Sequence, residues 1–457
     1  MHLRTPGRRA RRLSLAGAVT LTAAAAATAI AFNAAGTGPA AMAATVTYDP
    51  LAPALDFNSF VENETVLVST ESEGPVATGG NLVVKGSYNV NIHESGTFVA
   101  PGDSQQAGLV VGGQVDWTQD PATSVVQVHN YMKIGDLTGS EALNTDINNA
   151  SVNTHLVAAG AGYDSTPRLE LNTQQPLSSV GPSSPIDFDA AFAQLRANSQ
   201  DLFVCEAHEV EMRAVDGTVV PKGRVDTGMQ IRITLEPGVT NILNVTGDDL
   251  NNMSELSFQN QPTATMPLLI NVDTSGTGGE MDWDVPNQAG AGGGNGAPYI
   301  LWNFKDTTRL TLTGGDTVEG SILAPDADYT DLSASNVEGQ IIAKNALHGD
   351  VGFSGGEIHQ FPFAAELSCE DDEPSPSATT EGPTTNGPTG DESSSCTPPS
   401  PGENTDSPGE ETTTGDCVPL ATTGSSLGPI VFGAVALVVV GAGVVAAASI
   451  RRRSRQS

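Results

Sequence analysis

Two stretches, Glu319–Asp328 (EGSILAPDAD) and Glu338–Asn345 (EGQIIAKN), have similar sequences and begin nineteen residues apart. Ile322 and Ile341 keep this interval, and Glu357 continues it. Short apolar runs that recur about every 20 residues, separated by Gly, Asn or Asp, are typical of stacked coils with inward-pointing apolar side chains and glycine corners. We therefore predict a mainly β fold of the β-solenoid (β-helix) type. The alternative is that the two stretches are hairpins of a β-sandwich whose sequences are similar by chance.

The composition agrees with a strand-rich chain that carries one helix. Of 457 residues 50 are Gly and only 5% are aromatic, which favours many short strands joined by turns over a helical bundle. Pro185 and Asp187 suit the start of a helix that ends near Phe203 and flanks the strands. The glycine-rich stretch 275–297 predicts a mobile loop. The apolar face of the helix would consist of Phe188, Phe192, Leu195 and Leu202.

Charge is distributed very unevenly along the chain. The formal net charge is −33, yet nine of the 20 basic residues lie in the first 12 and the last seven positions. Residues 1–44 and 424–457 contain no Asp or Glu, so the part between them holds 11 basic and 53 acidic residues. A body this acidic repels a phosphate backbone, which excludes nucleic acid as a partner and suits a soluble surface protein.

The first 43 residues have the features of an export signal. Five arginines within 4–12 precede an Ala-rich apolar stretch from about Leu13 to Phe32, and Ala41-Met42-Ala43 offers small residues for cleavage. We predict a secretory signal peptide over 1–43. An uncleaved membrane anchor is the alternative.

The last 38 residues, 420–457, combine three elements in a fixed order. LATTG (Leu420–Gly424) is followed by an apolar stretch, 427–450, which is long enough to cross a bilayer core of about 30 Å as a transmembrane helix. The basic cluster 451–455 (RRRSR) stays cytoplasmic by the positive-inside rule. This order resembles a sortase sorting signal, with the LAxTG variant of LPxTG that is associated with high-GC Gram-positive bacteria. A plain single-pass membrane protein is the alternative.

The resemblance to a sorting signal implies covalent attachment to the cell wall. A sortase cysteine would attack the carbonyl of Thr423, release Gly424 onward and pass the acyl group to an amine of the peptidoglycan precursor. Leu420 and Ala421 would fill the recognition groove, and Thr422 completes the pentapeptide. Ala421 replaces the commoner Pro, which leaves the sortase class open.

Between the body (44–369) and the anchor lies a stretch of very different composition, 370–419. It consists almost wholly of Pro, Gly, Ser, Thr, Asp and Glu and cannot bury enough apolar surface to fold, so we predict a disordered stalk. The four cysteines have no CxxC spacing, and in an exported chain disulfides are expected, with free thiols as the alternative. The expected disulfides are Cys205–Cys369 and Cys396–Cys417.

Seven short pieces of the body follow one another in an order that is more specific than any one of them. They are Phe57–Phe60, Glu73–Asn81, Gly112–Trp117, Ile300–Phe304, Glu319–Asp328, Glu338–Lys344 and Glu357–Phe363. Their sequences resemble those of the choice-of-anchor A domain, a family of adhesive domains of bacterial surface proteins. The resemblance covers nearly all of 55–363 and implies adhesion or display on varied C-terminal anchors, with no catalytic residues to carry over. A weaker resemblance links the repeats to ice-binding β-solenoids.

Candidate catalytic and metal-binding residues are scattered. For a glycosidase-like carboxylate pair the candidates are Asp282 and Asp284, which flank Trp283, and Asp116, which precedes Trp117. For calcium they are an acidic turn with Asp326, Asp328 and Asp331, and the pair Asp248 and Asp249. With 53 acidic residues, chance pairs are inevitable, and no EF-hand or HExxH spacing occurs. The GxSxG matches around Ser354 and Ser426 lack the strand-turn-helix context of a nucleophile. We predict no catalytic residue, no metal and no cofactor.

The leading hypothesis is a non-enzymatic adhesin that is secreted and anchored in the cell wall on the extracellular face. Its partners would be sortase, peptidoglycan and an unknown ligand on a host or environmental surface. The alternatives are a wall-bound polysaccharide-active enzyme and an ice- or surface-binding solenoid. The ice-binding version needs a flat Thr-rich face, for which the candidates are Thr307, Thr308, Thr311, Thr313 and Thr317.

Overall fold

The structure is a computed structural model that describes residues 45–119, 123–350 and 355–370. Within them the chain is mainly β with few helices, which confirms the predicted class. No helix in these ranges combines the length and apolarity that crossing a membrane requires. The predicted signal peptide, the predicted stalk (370–419) beyond its first residue and the sorting signal with its apolar stretch 427–450 lie outside the described residues.

Most strands are short, as the turn-rich composition predicts. In chain order they are β1 Thr45–Tyr48, β2 Ser59–Val61, β3 Thr65–Leu67, β4 Glu71–Ser72, β5 Val76–Thr78, β6 Leu82–Val84, β7 Tyr88–Val90, β8 Ala107–Val111, β9 Val115–Asp116, β10 Val125–Val128, β11 Tyr131–Ile134, β12 Ser140–Thr145, β13 Ser151–Ala158, β14 Arg168–Leu171, β15 His208–Glu209, β16 Arg213–Ala214, β17 Met229–Ile233, β18 Asn241–Thr246, β19 Met253–Phe258, β20 Leu268–Asp273, β21 Glu280–Val285, β22 Ile300–Asn303, β23 Arg309–Gly315, β24 Val318–Glu319, β25 Ser321–Asp331, β26 Val337–Glu338, β27 Ile341–His348, β28 Ile358–His359 and β29 Leu367–Glu370.

Among the helices of the described ranges, only α2 is long. The α-helices are α1 Leu177–Val180, α2 Phe188–Phe203 and α3 Gly247–Asn252, and the 3-10 helices are Ala52–Ala54, Ser275–Thr277, Gly293–Asn295 and Ala297–Tyr299.

Most strand pairs are parallel and form three ladders, which we call walls. The covered wall has the order β11-β8-β5-β2-β27-β25-β22-β20-β18-β15, and the open wall has the order β9-β6-β3-β27-β25-β23-β21. The polar wall has the order β14-β10-β7-β4-β28-β26-β24, with β13 and β12 added antiparallel beyond β14. Strands β25 and β27 belong to two walls, because their register shifts between Ala324 and Asp328. Strands β16, β17 and β19 form a small separate sheet.

The three walls share an apolar core. One cluster takes Ile341 from the covered wall, Leu310 from the open wall and Val337 from the polar wall. Its largest members, Trp283 and Trp302, are fully buried, with ring centroids 5.0 Å apart. Burying an apolar side chain of this kind contributes about 2–3 kcal/mol, so the inward rows hold the walls together.

The nineteen-residue repeat appears as strand register. Glu319 pairs with Glu338 between β24 and β26, and Ile322 pairs with Ile341 between β25 and β27, all in parallel. At the next step Glu338 pairs with His359, not with Glu357, so the interval lengthens to 21 residues. A slip of two residues keeps apolar side chains facing inward, since side chains alternate between faces with a period of two.

Glycines turn the corner between the polar and covered walls. Gly320 has a φ of 113°, and a Cβ there would lie 2.5 Å from the carbonyl oxygen of Ile300. A Cβ on Gly339 in the next copy would lie 2.6 Å from the backbone of Gly320. The Glu-Gly pair of the repeat is therefore required because successive backbones approach too closely for any side chain.

The spatial order of the coils differs from the chain order. Strand β27, near the end of the chain, lies between β2 and β25 in the covered wall, where Ile341 pairs with both Ser59 and Ile322. In the open wall it lies between β25 and β3. Strand β27 thus joins the strands that precede α2 in this wall to those that follow it. No spacing in the sequence indicates this arrangement.

The predicted flanking helix is confirmed as α2. Asp187 caps its first turn by accepting a hydrogen bond from the Ala190 N–H. Phe192 is fully buried and stacks on Phe60 of β2, with 5.5 Å between centroids, so the helix packs on the outer side of the covered wall. The guanidinium of Arg196 bonds Glu62 beside β2.

The predicted glycine-rich loop over 275–297 is wrong in its middle. Residues 280–285 (EMDWDV) form β21, in which Met281, Trp283 and Val285 are buried while the residues between them are exposed. This alternation is that of a half-buried strand, and the flanking glycines hid it.

Candidate functional site

The outer side of the covered wall is closed to ligands by packing. Its outward side chains Phe60, Ile342 and Leu301 have no exposed surface and share a cluster with Phe192 and Leu195 of α2. An external partner cannot reach this row without displacing the helix.

The open wall presents part of its outer side to solvent: Val66, Thr330 and Leu347 are half-buried, whereas Val83 and Thr311 are buried. Strand register aligns one outward side chain from each of its strands, and we call this the central row. Exposed Asp282 and half-buried Asp116 end the row, and the five members between them carry no charge. At about 4.8 Å per strand, the uncharged stripe is roughly 19 Å long. The central row consists of Asp282, Thr311, Thr330, Leu347, Val66, Val83 and Asp116.

A charged row runs beside part of the central row. Arg309 lies in register between Glu280 and Asp328. Its guanidinium lies 3.1 Å from a Glu280 carboxylate oxygen and also bonds Asp282. Asn345 continues this row and donates to Asp328 over 2.7 Å. These cross-strand contacts hold the polar side chains of the charged row in place.

The central row was missed by sequence analysis, apart from its two ends and Thr311. Thr330, Leu347 and Val66 are half-buried residues of ordinary strand composition. They become one surface only because strands distant in sequence pair in register. Only a correct prediction of the β27 to β3 pairing would have found them.

The polar wall carries a ladder of carboxylates around one imidazole. His359 places Nδ1 2.7 Å from Glu338 and Nε2 3.0 Å from Glu357 and 3.8 Å from Glu73. Burial lowers the pKa of His359, but the hydrogen bond to Glu357 and the surrounding charges outweigh it, and the net shift is upward. Burial and the charge of Glu338 raise the pKa of Glu319 to about 7. The imidazolium therefore offsets repulsion among stacked carboxylates.

The carboxylates that sequence analysis considered as catalytic pairs either lie too far apart or already bond other groups of the protein. Asp282 and Asp116 end the central row about 29 Å apart, too far for a glycosidase pair. The hydroxyl and the N–H of Thr118 donate to Asp116, which lowers the pKa of that carboxyl. Asp282 and Asp284 are both exposed on the same side of β21, but the Asp282 carboxylate is paired with Arg309.

The calcium candidates do not converge either. Asp249 is buried in the capping box of α3 and accepts from the N–H groups of Gly223 and Val225. Asp248, its exposed neighbour, lies in the first turn of α3. Within 45–119, 123–350 and 355–370 no three His, Cys, Asp or Glu side chains are placed to hold a metal ion.

The other three calcium candidates lie on a strand, not on a turn. Asp326 bonds Arg196 over 2.7 Å, Asp328 faces solvent and Asp331 points into the core. Because side chains alternate along β25, Asp328 and Asp331 point to opposite sides of the wall. The turn expected at this point is therefore wrong.

The candidate threonines do not form a single face. Thr307 is fully buried and shares a hydrogen bond of 2.9 Å with Thr274. Thr311 and Thr313 lie on the outer side of the open wall, while Thr317 precedes the polar wall. The hydroxyl of Thr308, the fifth candidate, donates to the carbonyl of Gly279.

The structure joins Cys205, just after α2, to Cys369 in β29 by a disulfide. Cys396 and Cys417 lie outside the described residues. The same holds for Ser354 and Ser426 of the GxSxG matches and for the pentapeptide from Leu420 to Gly424.

A buried acid and a buried imidazole lie side by side in the core. Asp331 and His348 are register partners on β25 and β27, with 3% and 2% exposure. Burial raises the pKa of Asp331 to about 7, against hydrogen bonds from Ser333 and Tyr329 that lower it. Burial lowers the pKa of His348 to about 4. Near neutral pH both groups therefore resist charging.

This burial predicts the pH dependence of an Asp331→Asn variant. A carboxyl whose folded-state pKa is raised stabilises the fold fully below its unfolded pKa of about 4, and that stability is lost as pH rises towards 7. The amide does not ionise, so we expect the variant to be up to about 4 kcal/mol more stable than wild type at pH 8 and nearly equal at pH 4. Urea unfolding at both values measures this. Exposed Asp328→Asn is the control, and an equal gain in both variants would contradict the argument.

Comparison with known proteins assigns the body to a family. A family model described as "Putative Ice-binding-like adhesive domain" matches residues 50–360, more than half of the chain. No curated protein matches the chain significantly.

Three solved structures of ice-binding proteins give low similarity scores. One from an Antarctic Biological Consortium is 11% identical, covering 69% of this chain and 90% of its own, with a TM-score of 0.25. LeIBP from an Arctic yeast is 10% identical, covering 70% and 94%, with a TM-score of 0.26. One from the Antarctic ascomycete Antarctomyces psychrotrophicus is 12% identical, covering 67% and 96%, with a TM-score of 0.22. Similarity at this level carries no argument about this chain, and the assignment depends on the family model alone. This chain belongs to the family of ice-binding-like adhesive domains.

Proposed function

We propose that this protein is a non-enzymatic adhesin, displayed outside a Gram-positive cell wall, that binds its target surface through the open wall. The observation that carries this proposal is the family match over 50–360 together with an outer face on which Val66, Thr330 and Leu347 keep exposed surface. The sequence resemblance to the choice-of-anchor A domain supports the same role. The target is a host or environmental surface.

The proposal includes a solenoid architecture for the body. Three parallel walls around a shared core, with corners made by Gly320 and Gly339, are the features of stacked coils. Register partners are 19 residues apart between β24 and β26 and 17 apart between β2 and β5, and longer loops separate others. Such a body suits adhesion because its face is flat and preorganised, so binding costs little ordering of the protein.

Attachment to the wall is the second part of the proposal. The tail from Leu420 has the ordered elements of a sortase substrate, and cleavage after Thr423 would join the chain to a peptidoglycan amine. Secretion by the 1–43 signal and transient insertion of 427–450 would precede this step. Residues 370–419 would then act as the stalk.

The open wall is suited to a broad surface more than to a small ligand. Its uncharged stripe of Thr, Leu and Val side chains is bordered by charged and amide side chains at one edge and by Asp282 and Asp116 at its ends. An apolar centre with a polar rim is the usual anatomy of a protein recognition surface.

The test places one bulky residue at the centre of this stripe. We expect Thr330→Trp, in cells that display the full chain, to weaken attachment at least about tenfold, because an indole would hold the flat partner away. The probes are ice, purified polysaccharides and protein-coated glass. Gln127→Trp, at an exposed position of the polar wall, adds the same bulk and is expected to leave attachment unchanged.

Each outcome of this test is informative. Equal attachment by wild type and Thr330→Trp on every bound surface would overturn the role of the open wall. Thermal hysteresis that disappears in Thr330→Trp would select the ice-binding version, and release of reducing ends from a glycan would select the enzyme. For the anchor, mass spectrometry of peptidoglycan is expected to find a fragment that ends at Thr423 joined to a cross-bridge amine, and its absence would overturn wall attachment.

A further inference from the structure

The position of the last coil creates a mechanical weakness. Strand β27 lies in the interior of both the covered and the open wall, and β28 lies in the interior of the polar wall. A pull on the chain end would therefore act on the middle of the ladders, where loss of β27 separates the coils before α2 from those after it. In a ladder with its last coil at the edge, the same pull would remove only that coil.

The C-terminal strand offers little resistance to such a pull. Strand β29 pairs antiparallel with β1 over four residue pairs, and Glu370 faces Thr45 at the end where the tail leaves. Among the described residues, β29 pairs with no strand other than β1, so only a short ladder holds the end of the chain. Ser368 adds two bonds: its N–H donates to the hydroxyl of Thr240, and its hydroxyl shares a hydrogen bond of 2.9 Å with that of Thr47.

The disulfide gives the load a different path. Cys369 lies one residue before the end of β29, and Cys205 follows α2 by two residues. Once the last pair opens, tension passes from Cys369 to Cys205 and into the helix. The backbone between these cysteines, which contains β27 and β28, then lies outside the path.

Helix α2 is well placed to receive this load because it contacts both sets of coils. Arg196 donates to Glu62 beside β2 and, over 2.7 Å, to Asp326 of β25. Ser199 donates to Asn303 of β22 over 2.5 Å. Phe192 stacks on Phe60 of β2. A force on the helix is thus spread over strands on both sides of β27.

We propose that the Cys205–Cys369 disulfide is a load-bearing clamp that shields the central coil from tension on the tail. The inference rests on the proposed function, because a C-terminal tether supplies the tension. Its role is directional: it strengthens the protein against a pull on the C-terminus and adds little against a pull that does not pass through Cys369.

The test is single-molecule pulling of the full chain without its signal peptide. One handle is at the C-terminus and the other is a ligation peptide inserted at Ile147, which is 80% exposed at the tip of the β12–β13 hairpin. At a fixed force, Cys205→Ser/Cys369→Ser is expected to unfold at least about tenfold faster than wild type. Complete extension is expected to release about 200 Å in wild type and about 800 Å in the variant, at about 3.6 Å per residue.

A second pulling direction separates a clamp from general stabilisation. Handles at Ile147 and the N-terminus load β29 only through its pairing with β1, which is the same in both proteins. The backbone between these handles contains no cysteine, so both proteins are expected to unfold at the same rate. Equal rates in the C-terminal direction, or the same loss in both directions, would overturn the proposal. Two free thiols at Cys205 and Cys369 in the exported chain would overturn it as well. Wall attachment is measured separately, so failure of the anchor and failure of the clamp remain distinct.

Discussion

Phe60→Ala is expected to lower the free energy of unfolding by about 3–5 kcal/mol, the range for a fully buried aromatic side chain. Phe60 has no exposed surface and lies where β2 meets the helix. Its ring stacks on Phe188 at 5.2 Å and on Phe192 at 5.5 Å between centroids. Truncation removes these contacts and leaves a void under α2, which the neighbouring β27 cannot fill because its backbone is held by parallel pairing.

Urea unfolding of wild type and variant measures this loss. Phe98→Ala is the control, since Phe98 is only half-buried and its ring lies 5.7 Å from that of Phe57 at the edge of the same cluster. We expect the control to cost about 1 kcal/mol. If Phe60→Ala cost no more than Phe98→Ala, the helix would not depend on this contact.

Asn58→Ala is the second large expected effect, a loss of about 3 kcal/mol or more. The buried side chain amide of Asn58 donates to the carbonyls of Gly339 over 2.7 Å and of His359 over 3.0 Å, and its oxygen accepts from the Gly74 N–H. Alanine would leave the Gly339 carbonyl and the Gly74 N–H without the Asn58 side chain as partner, at about 1–3 kcal/mol each, while the His359 carbonyl still accepts from the Phe361 N–H. The loss falls where the first and last coils meet.

A matched substitution separates this role from loss of any asparagine. Asn89 is half-buried on the polar wall and makes one side-chain bond, to Glu71 over 3.0 Å. Asn89→Ala is expected to cost under about 1 kcal/mol, because water can replace that bond. Equal denaturation midpoints for the two variants would contradict the proposed role of Asn58.

Local pattern predicted the class of the fold and one helix. Alternation and turn residues indicate short strands wherever the chain has them, and the capped apolar face from Phe188 to Leu202 predicts α2. The pattern failed over 280–285, because glycines on both sides masked a strand whose Trp283 is buried. It failed again at Asp331, where a residue type that favours turns lies in a strand core.

The candidate site was predictable only at its two ends and at Thr311. Asp116 and Asp282 attract attention as carboxylates beside tryptophans, yet they end one row on the open wall about 29 Å apart. Between them lie ordinary Thr, Leu and Val residues, whose importance comes from alignment and not from chemistry. A row of this kind has no local signature, since its members lie in strands far apart in the sequence.

The amino-acid sequence by itself determined the mainly β class, the nineteen-residue register of neighbouring coils and the position of the helix. These follow from short-range rules: side-chain alternation, glycine at crowded corners and capping. Only the tertiary structure decided that β27 inserts between β25 and β2, and with it which side chains share the open wall. That choice depends on the total apolar surface buried when distant coils stack, a quantity that no local stretch of sequence contains.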